Sequence, residues 1–414
     1  MEPYRNLPYN LVMDTKNKLE NTYVPDNKGR KEKIVLGLSG GVDSYVTAYL
    51  LKIQKYELVA VTIVNSLDDY HGDQSKLFSC QLNTHELEEL KTFCHKLGIP
   101  HHIIKAGPAF KENVLGPWID DKILGRLPTP CWNCHEMRMQ LLFEKMNELG
   151  VKHMATGHYA KLFHHDVHGS VFVHTSNEEK FDQSAQLSRL PREILNSLIL
   201  PLSDLTKKEV LKLAENFGMQ EKTKELSFNQ CLKEDMTEYV EKITPKRFLK
   251  EGEIIDLEEQ QSLGEHEGIH QHQYGEEIEL NDSGRAIKGR LGEYAYASKK
   301  MLVVNDDYFL RKKIMLVNCR LSEEVSWLEP IKGFMVYQHD QYIECWIHPK
   351  NLSAVFLEFF EEKDLLEGEI VSVIKKKGKN SKVYLTGEIR FLPLDPVNEE
   401  GEPIVPKINY SIDF

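Results

Sequence analysis

The sequence predicts an α/β architecture: an open parallel sheet with helices on both faces, followed by smaller β-rich domains that include a barrel-like C-terminal domain. Three observations predict it. Apolar strand-like runs alternate with amphipathic helical stripes through the first half. The alternation ends near Thr244-Pro245, beyond which short β-rich segments separated by glycines dominate. At 414 residues the chain is also long for one core, which implies two or three domains.

The elements follow in order. Residues 34–38 are a short apolar run ending in small residues, the pattern of a buried parallel strand. Residues 44–54 carry Val46, Tyr49, Leu50 and Ile53 on one helical face, and 58–64 read as the second strand. Asn83 with Glu86 forms a capping box ahead of Leu87, Leu90, Cys94 and Leu97. Residues 101–104 read as a strand, 137–149 as a helix and 153–156 as a strand. Thr206 with Glu209 caps a helix bearing Val210, Leu213, Ala214 and Phe217, with Gly218 as its stop. In the second half the strand-like segments are 253–256, 301–304, 313–318, 334–337, 342–347, 354–359, 369–374 and 382–391. The expected division is an N-terminal extension 1–32, an α/β domain 33–243, a small central domain 244–300 and a barrel-like domain 301–414.

Bulk properties narrow the functional classes. No apolar run approaches the ~20 residues that span a bilayer, and residues 1–33 carry no secretory stretch, so a cytoplasmic protein without a membrane partner is expected. Seven cysteines, an odd number, point to a reducing compartment in which thiols act as filler, metal ligands or catalytic groups. A net charge of −12 opposes indiscriminate nucleic-acid binding and calls for a local basic patch. Lys375, Lys376, Lys377, Lys379 and Lys382 are one candidate, equally readable as lysines on a solvated hairpin guarding a strand edge.

The most informative motif is Ser39-Gly40-Gly41-Val42-Asp43-Ser44, between the first strand and its helix. Paired glycines let the backbone approach an anion and take positive φ. The N-terminus of a helix beginning near Asp43 attracts that anion, and Ser39 and Ser44 add hydroxyls. Asp43 would repel phosphate unless a cation intervened, which implies Mg²⁺. The string lacks the Gly-Lys-Ser/Thr ending of a Walker loop. It resembles the SGGxDS motif of PP-loop pyrophosphatases, which form an adenylate from ATP and release pyrophosphate.

Cys131 and Cys134 lie three apart behind Pro128 and Pro130, a spacing that suits one metal, one cluster or a redox pair. Cys231 lies in a polar stretch, whereas Cys94 sits on an apolar helical face and reads as filler. Here the resemblance becomes detailed. Collinear stretches from about Lys33 to Val240 are similar to the tRNA-specific 2-thiouridylase (MnmA-type) family. They include 36–38, 94–100, 125–130, 155–159, 182–184 and 202–218. The resemblance implies an adenine nucleotide alpha hydrolase-like fold and an ATP site at Gly37, Leu38, Ser39, Gly40, Gly41, Val42, Asp43 and Ser44. Ile63 and Gly157 complete that site, and the counterpart of Gly157 helps hold the adenine. It implies Cys134 and Cys231 as sulfur-handling cysteines.

Two positions depart from the family. Cys131 stands where an aspartate is usual, and Phe181 where a lysine precedes Asp-Gln-Ser. A CxxC plus a distant cysteine resembles the ligand set of iron–sulfur-dependent RNA thiolation enzymes. That resemblance implies a 4Fe–4S cluster on Cys131, Cys134 and Cys231, with a two-cysteine persulfide route as the alternative. The expected activity is ATP-dependent thiolation of a pyrimidine carbonyl, uridine C2 in tRNA. Its partners would be tRNA and a sulfur donor, either a persulfide carrier protein or sulfide. The alternatives are a PP-loop enzyme acting on another base or a small molecule, and a non-catalytic RNA- or metal-binding relic. Residues 264–269 resemble the family's G-x-H-x-G segment, but Glu276 and Glu277 stand where the family carries cations. His266, His270 and His272 would share one face of a strand, which raises a metal reading that the family match to His266 makes unnecessary. His164, His165 and His168 read as a solvated turn-like insert.

Overall fold

The structure is a computed structural model that describes residues 32–65, 82–165, 170–217, 219, 237–282, 285–322, 329–338, 341–351 and 353–392. Five parallel strands form the first sheet in the order β3-β2-β1-β4-β7. They are β1 (Lys33–Gly37), β2 (Glu57–Val64), β3 (His101–Lys105), β4 (His153–Ala155) and β7 (Leu198–Ile199). A hairpin of β5 (Lys161–His165) and β6 (Ser170–His174) stands apart from them. Winding reverses between β1 and β4, and in open α/β sheets the crevice at that switch point is where ligands bind.

The strands are apolar because both faces are covered. Ile34, Leu36, Leu58 and Ala60 pack under helices α1 (Val42–Ile53) and α2 (Thr84–Leu97), with Tyr45, Tyr49, Leu90 and Cys94. On the other face Val35 and Val61 meet Met139, Leu142 and Met146. Helix α3 (Gly116–Ile123) precedes α4 (Pro130–Glu148), which supplies those three side chains; α5 (Lys207–Asn216) and α6 (Thr237–Ile243) follow. Both capping boxes form: Asn83 and Glu86 exchange bonds of 2.9 Å, and Glu209 returns to Thr206 N at 2.8 Å. Gly218 lies outside the described residues.

The second half forms two sheets. β8 (Gly252–Asp256), β9 (Ser262–His266), β10 (Glu277–Asp282), β11 (Arg285–Ala295) and β12 (Lys300–Val304) order as β10-β11-β12-β8-β9, with β12 and β8 parallel. β13 (Leu310–Leu321), β14 (Ile331–Tyr337), β15 (Gln341–Asn351), β16 (Ala354–Asp364), β17 (Ile370–Ile374) and β18 (Val383–Phe391) close into an antiparallel barrel. Its fully buried interior includes Ile314, Met335, Cys345 and Leu357. The barrel docks on the α/β part through the hairpin. Ile374 and Val383 join the core beside Val173, Thr175 Oγ1 donates to Gly378 O at 2.9 Å, and the Lys382 ammonium lies 3.5 Å from the Phe172 ring centroid.

Several expectations change. Closure leaves no sheet edge for lysines to guard, so Lys375, Lys376, Lys377 and Lys379 are exposed on the β17–β18 connection while Lys382 is a docking residue. His164 is a strand residue of β5, half-buried rather than solvated, because it alternates with the exposed Phe163. His266, His270 and His272 do not share a strand face: His266 ends β9, whereas His270 sits in a 3₁₀ turn bonded to Glu241 at 3.2 Å. No cluster of metal-ligating side chains occurs among the described residues.

Candidate active site

The end of β1 turns sharply into α1. Gly40 takes φ +86°, which only glycine adopts freely, and a Cβ there would come within 3.0 Å of Leu82. Gly41 has φ −74° as the residue before the helix, so just one of the paired glycines uses the left-handed region. The helix begins at Val42, one residue earlier than the sequence suggests. Ser44 Oγ donates to Gly41 O at 2.8 Å, so its hydroxyl is partly spent on the helix start rather than free for a ligand.

A cavity of 590 Å³ opens at this switch point. Gly37, Leu38, Ser39, Gly41, Val42, Asp43, Ser44, Ile63 and Gly157 all line it; Gly40 stands outside its lining. One end is apolar, with Val61, Ile63, Met139 and Leu142. Gly157 explains its own identity: a Cβ would fall 2.9 Å from the Asp43 carbonyl carbon, so the segment after β4 can pass this close to Asp43 only without one.

Asp43 carries the electrostatics. Lys207 Nζ donates to its two oxygens at 2.9 and 2.8 Å, and Tyr159 Oη donates at 2.6 Å. The Lys207 side chain is 11% exposed, and its ammonium also lies 5.7 Å from the ring centroids of Tyr159 and Phe181. Lys207 thus offsets part of the negative charge of Asp43 from within the protein. Sequence reasoning missed it because the partners are 164 positions apart. The lysine absent at 181 leaves no shortage of positive charge, since Lys180 and Lys207 both line the cavity.

Asp182-Gln183-Ser184 fixes the wall of the cavity. Asp182 accepts from Ser176 N and Ser184 Oγ, both at 2.6 Å, and burial raises its pKa to about 6. Gln183 Oε1 accepts from Tyr159 N at 3.0 Å. Two histidines also face the cavity. Burial holds His135 well below the usual imidazole value, with the charge of His158 adding to it; burial lowers His158 to about 4. Their rings meet edge-to-face at 5.1 Å, and His158 Nδ1 bonds Thr156 Oγ1 at 2.8 Å.

Cys131 and Cys134 are not in a loop. Pro130 occupies the first turn of α4, where its fixed φ and missing N–H do no harm; Cys131 lies in that turn and Cys134 begins the next. Residues three apart share a helical face. Cys134 is 6% exposed, receives an Asn65 Nδ2 hydrogen at 3.8 Å, and packs with Phe110, Trp118 and Val240. Neither cysteine lines the cavity. Cys231 lies outside the described residues, although the chain after it returns to Cys134 at Val240. Cys94 is the buried filler that the sequence suggested, its thiol pushed up to about 11 by burial.

Residues 32–235 match the family described as tRNA methyl transferase HUP domain. The tRNA-specific 2-thiouridylase MnmA of Clostridioides difficile is 31% identical over 295 residues, covering 67% of this chain and 80% of that protein. The corresponding MnmA 1 of Clostridium tetani is 32% identical over 329 residues, covering 74% and 88%. Among solved structures, the U34-tRNA thiolase NcsA of Methanococcus maripaludis with its 4Fe–4S cluster is 23% identical at a TM-score of 0.36, covering 57% of this chain and 75% of that one. With four-fifths or more of both 2-thiouridylases covered at over 30% identity, the chain belongs to the tRNA-specific 2-thiouridylase (MnmA) family.

Proposed function

We propose that this chain is an ATP-dependent tRNA sulfurtransferase that adenylates the C2 carbonyl of a uridine and replaces its oxygen with sulfur. The observation that carries the reading is the course of α4. It bears Cys131 and Cys134 at its N-terminus and then lines the phosphate-loop cavity with His135, Arg138, Met139 and Leu142. One rigid element therefore spans the nucleotide site and the sulfur site.

The apolar end of the cavity suits the adenine, and Ser39 to Ser44 with Lys207 suits the phosphates. The uridine O2 forms a bond to the α-phosphorus, the bond to the β-phosphate oxygen breaks, and pyrophosphate leaves with that electron pair. N3 releases its proton to solvent. Sulfide-level sulfur delivered at the cysteine end then bonds C2. The C2–O bond breaks as AMP leaves with the former carbonyl oxygen, and the sulfur's proton passes to N3. From a persulfide on Cys134, the Cys231 thiolate would bond Cys134 Sγ as the S–S bond to the transferred sulfur breaks, leaving a Cys134–Cys231 disulfide. Loop N–H groups and Lys207 stabilise charge developing on the phosphates.

Mg²⁺ fits this site. Asp43 faces the cavity and its oxygens keep lone pairs beyond those given to Lys207 and Tyr159; Asp43 would hold the ion, which neutralises the pyrophosphate leaving group. Cys131 and Cys134, three residues apart at the start of α4, suit two ligands of a cluster. A helix N-terminus favours thiolate, and Cys131, Cys134 and Cys231 would be its ligands, leaving one iron open to sulfide. A persulfide on Cys134 with Cys231 as its partner remains the alternative. Localisation in the cytoplasm accords with a tRNA substrate, and no described helix is long and apolar enough to cross a membrane.

The test follows the oxygen. With tRNA carrying heavy oxygen at uridine C2, AMP acquires the label in step with thionucleoside formation. Label appearing in water instead refutes adenylation of the carbonyl.

A further inference from the structure

The connection between β17 and β18 brings a row of cations to the rim of the cavity. Lys375, Lys376, Lys377 and Lys379 are all exposed on it. Its backbone is fixed from within: Lys375 N donates to Lys382 O at 3.0 Å and Lys376 N to Ser381 Oγ at 2.9 Å. It also abuts the segment that follows β6. Thr175 Oγ1 donates to Gly378 O and accepts from Ser381 N at 2.8 Å, and a Cβ on Gly378 would lie 3.6 Å from the Glu179 carboxylate. The next three residues, Lys180, Phe181 and Asp182, line the cavity. The lysine row thus meets the chain one residue away from the cavity wall.

The charge of this rim is not spent inside the protein. Lys180 is exposed as well and makes a fifth ammonium group, of which Glu179 offsets one. Lys377 and Lys180 lie 5.2 and 5.4 Å from the ring centroids of Tyr342 and Phe181, contacts that leave both lysines exposed. Among the described residues none of the five is in an ion pair, whereas Lys91, Lys300, Lys332 and Lys363 each pair with a glutamate. Like charges held side by side repel, so the row gains the fold nothing. A polyanion laid across it would gain from all of them.

The substrate decides which polyanion that is. A tRNA is far larger than a cavity of 590 Å³, so its target nucleotide alone can enter and the flanking backbone must cross the rim. We propose that the β17–β18 connection, with Lys180, binds the tRNA phosphates that flank the target uridine, an inference that rests on the thiolation reading above. Contacts of this kind fix position without reading sequence. They also supply local attraction on a chain whose net charge of −12 otherwise repels RNA.

The experiment compares wild type with two fourfold variants of equal charge. The rim variant combines Lys375→Gln, Lys376→Gln, Lys377→Gln and Lys379→Gln, and keeps Lys180 because it lines the cavity. The control combines Lys33→Gln, Lys55→Gln, Lys96→Gln and Lys152→Gln, exposed positions at or near the starts of β1 to β4, the end of the sheet opposite the cavity. Affinity for tRNA is measured from about 50 to about 200 mM salt, beside ATP binding by calorimetry, thermal melting and thionucleoside yield. For the rim variant the expected affinity at low salt is about 10–10²-fold weaker, with a log–log salt slope shallower by about 2–3, at up to roughly 0.9 per phosphate contact. Melting and ATP affinity stay at wild-type values, yield recovers at saturating tRNA, and the control keeps the wild-type slope. A rim variant with wild-type affinity and slope overturns the assignment. A control that loses as much overturns it too, since net charge alone would then govern binding. Wild type that binds tRNA through the rim yet forms no thionucleoside overturns the thiolation reading and leaves the surface standing.

Discussion

Lys207 is the internal counter-charge of the phosphate-binding loop, and removing it has a calculable effect. Lys207→Met keeps the aliphatic stem and deletes the ammonium. Asp43 would then retain the Tyr159 hydroxyl and whatever water reaches its 28% exposed side chain. Breaking a fully buried pair costs about 3–5 kcal/mol; partial exposure reduces this to about 2 kcal/mol here. Asp43→Asn should cost about 1 kcal/mol, because Lys207 keeps the faces of Tyr159 and Phe181. In the double variant no lone charge remains, so its loss should fall short of the sum by about 1–2 kcal/mol. Urea denaturation of the four proteins measures this coupling, and ATP binding should weaken in both lysine variants. Additivity within about 0.3 kcal/mol would show that the pair carries no energy, and the electrostatic account of the loop would fail.

Gly157→Ala pushes a methyl group to 2.9 Å from Asp43 backbone, so ATP affinity should drop about tenfold or more through an overpacking cost of roughly 1–3 kcal/mol; an unchanged KM for ATP contradicts the proposed contact. His158, held near 4 against an ordinary 6.5, contributes stability that is complete above pH 6.5 and lost as pH falls toward 4. The unfolded chain binds the proton first in that window, so His158→Gln should flatten the decline of melting temperature below pH 6.5; an unaltered slope assigns acid sensitivity elsewhere. Cys94 should resist iodoacetamide at neutral pH in the native protein, since its thiol titrates near 11, and Cys94→Val should leave thionucleoside yield intact. Rapid labelling of Cys94 or loss of product would refute its role as filler.

Where chemistry follows from neighbours in sequence, the residues disclose it. The two capping boxes and the strands of the parallel sheet are local patterns and appear as read, whereas in the six-residue loop only Gly40 takes the positive φ expected of both glycines. What escaped has three physical origins. Lys207 with Asp43 and His135 with His158 are pairs made by the sheet, which brings the ends of β1 and β4 together from distant stretches. The β5–β6 hairpin was obscured by polar residues on its outward face, and β11 by the glycines Gly289 and Gly292, where a Cβ would strike Val303 and Val304. The sequence places the start of this helix at residue 137, yet it begins at Pro130, a favoured first helical residue. The barrel was readable because antiparallel closure needs only short alternating segments, whereas its seat on the β5–β6 hairpin had no sequence cue.

The central claim is that the α4 thiols deliver sulfur to a base activated in the adjoining cavity. Nucleoside mass spectrometry of tRNA treated with ATP, a sulfide or persulfide source and anaerobically prepared protein tests it most directly. The account predicts a uridine carrying sulfur in place of oxygen, dependent on ATP and lost in Cys134→Ala. Unmodified nucleosides from the wild-type protein, or an equal yield from Cys134→Ala, would contradict it.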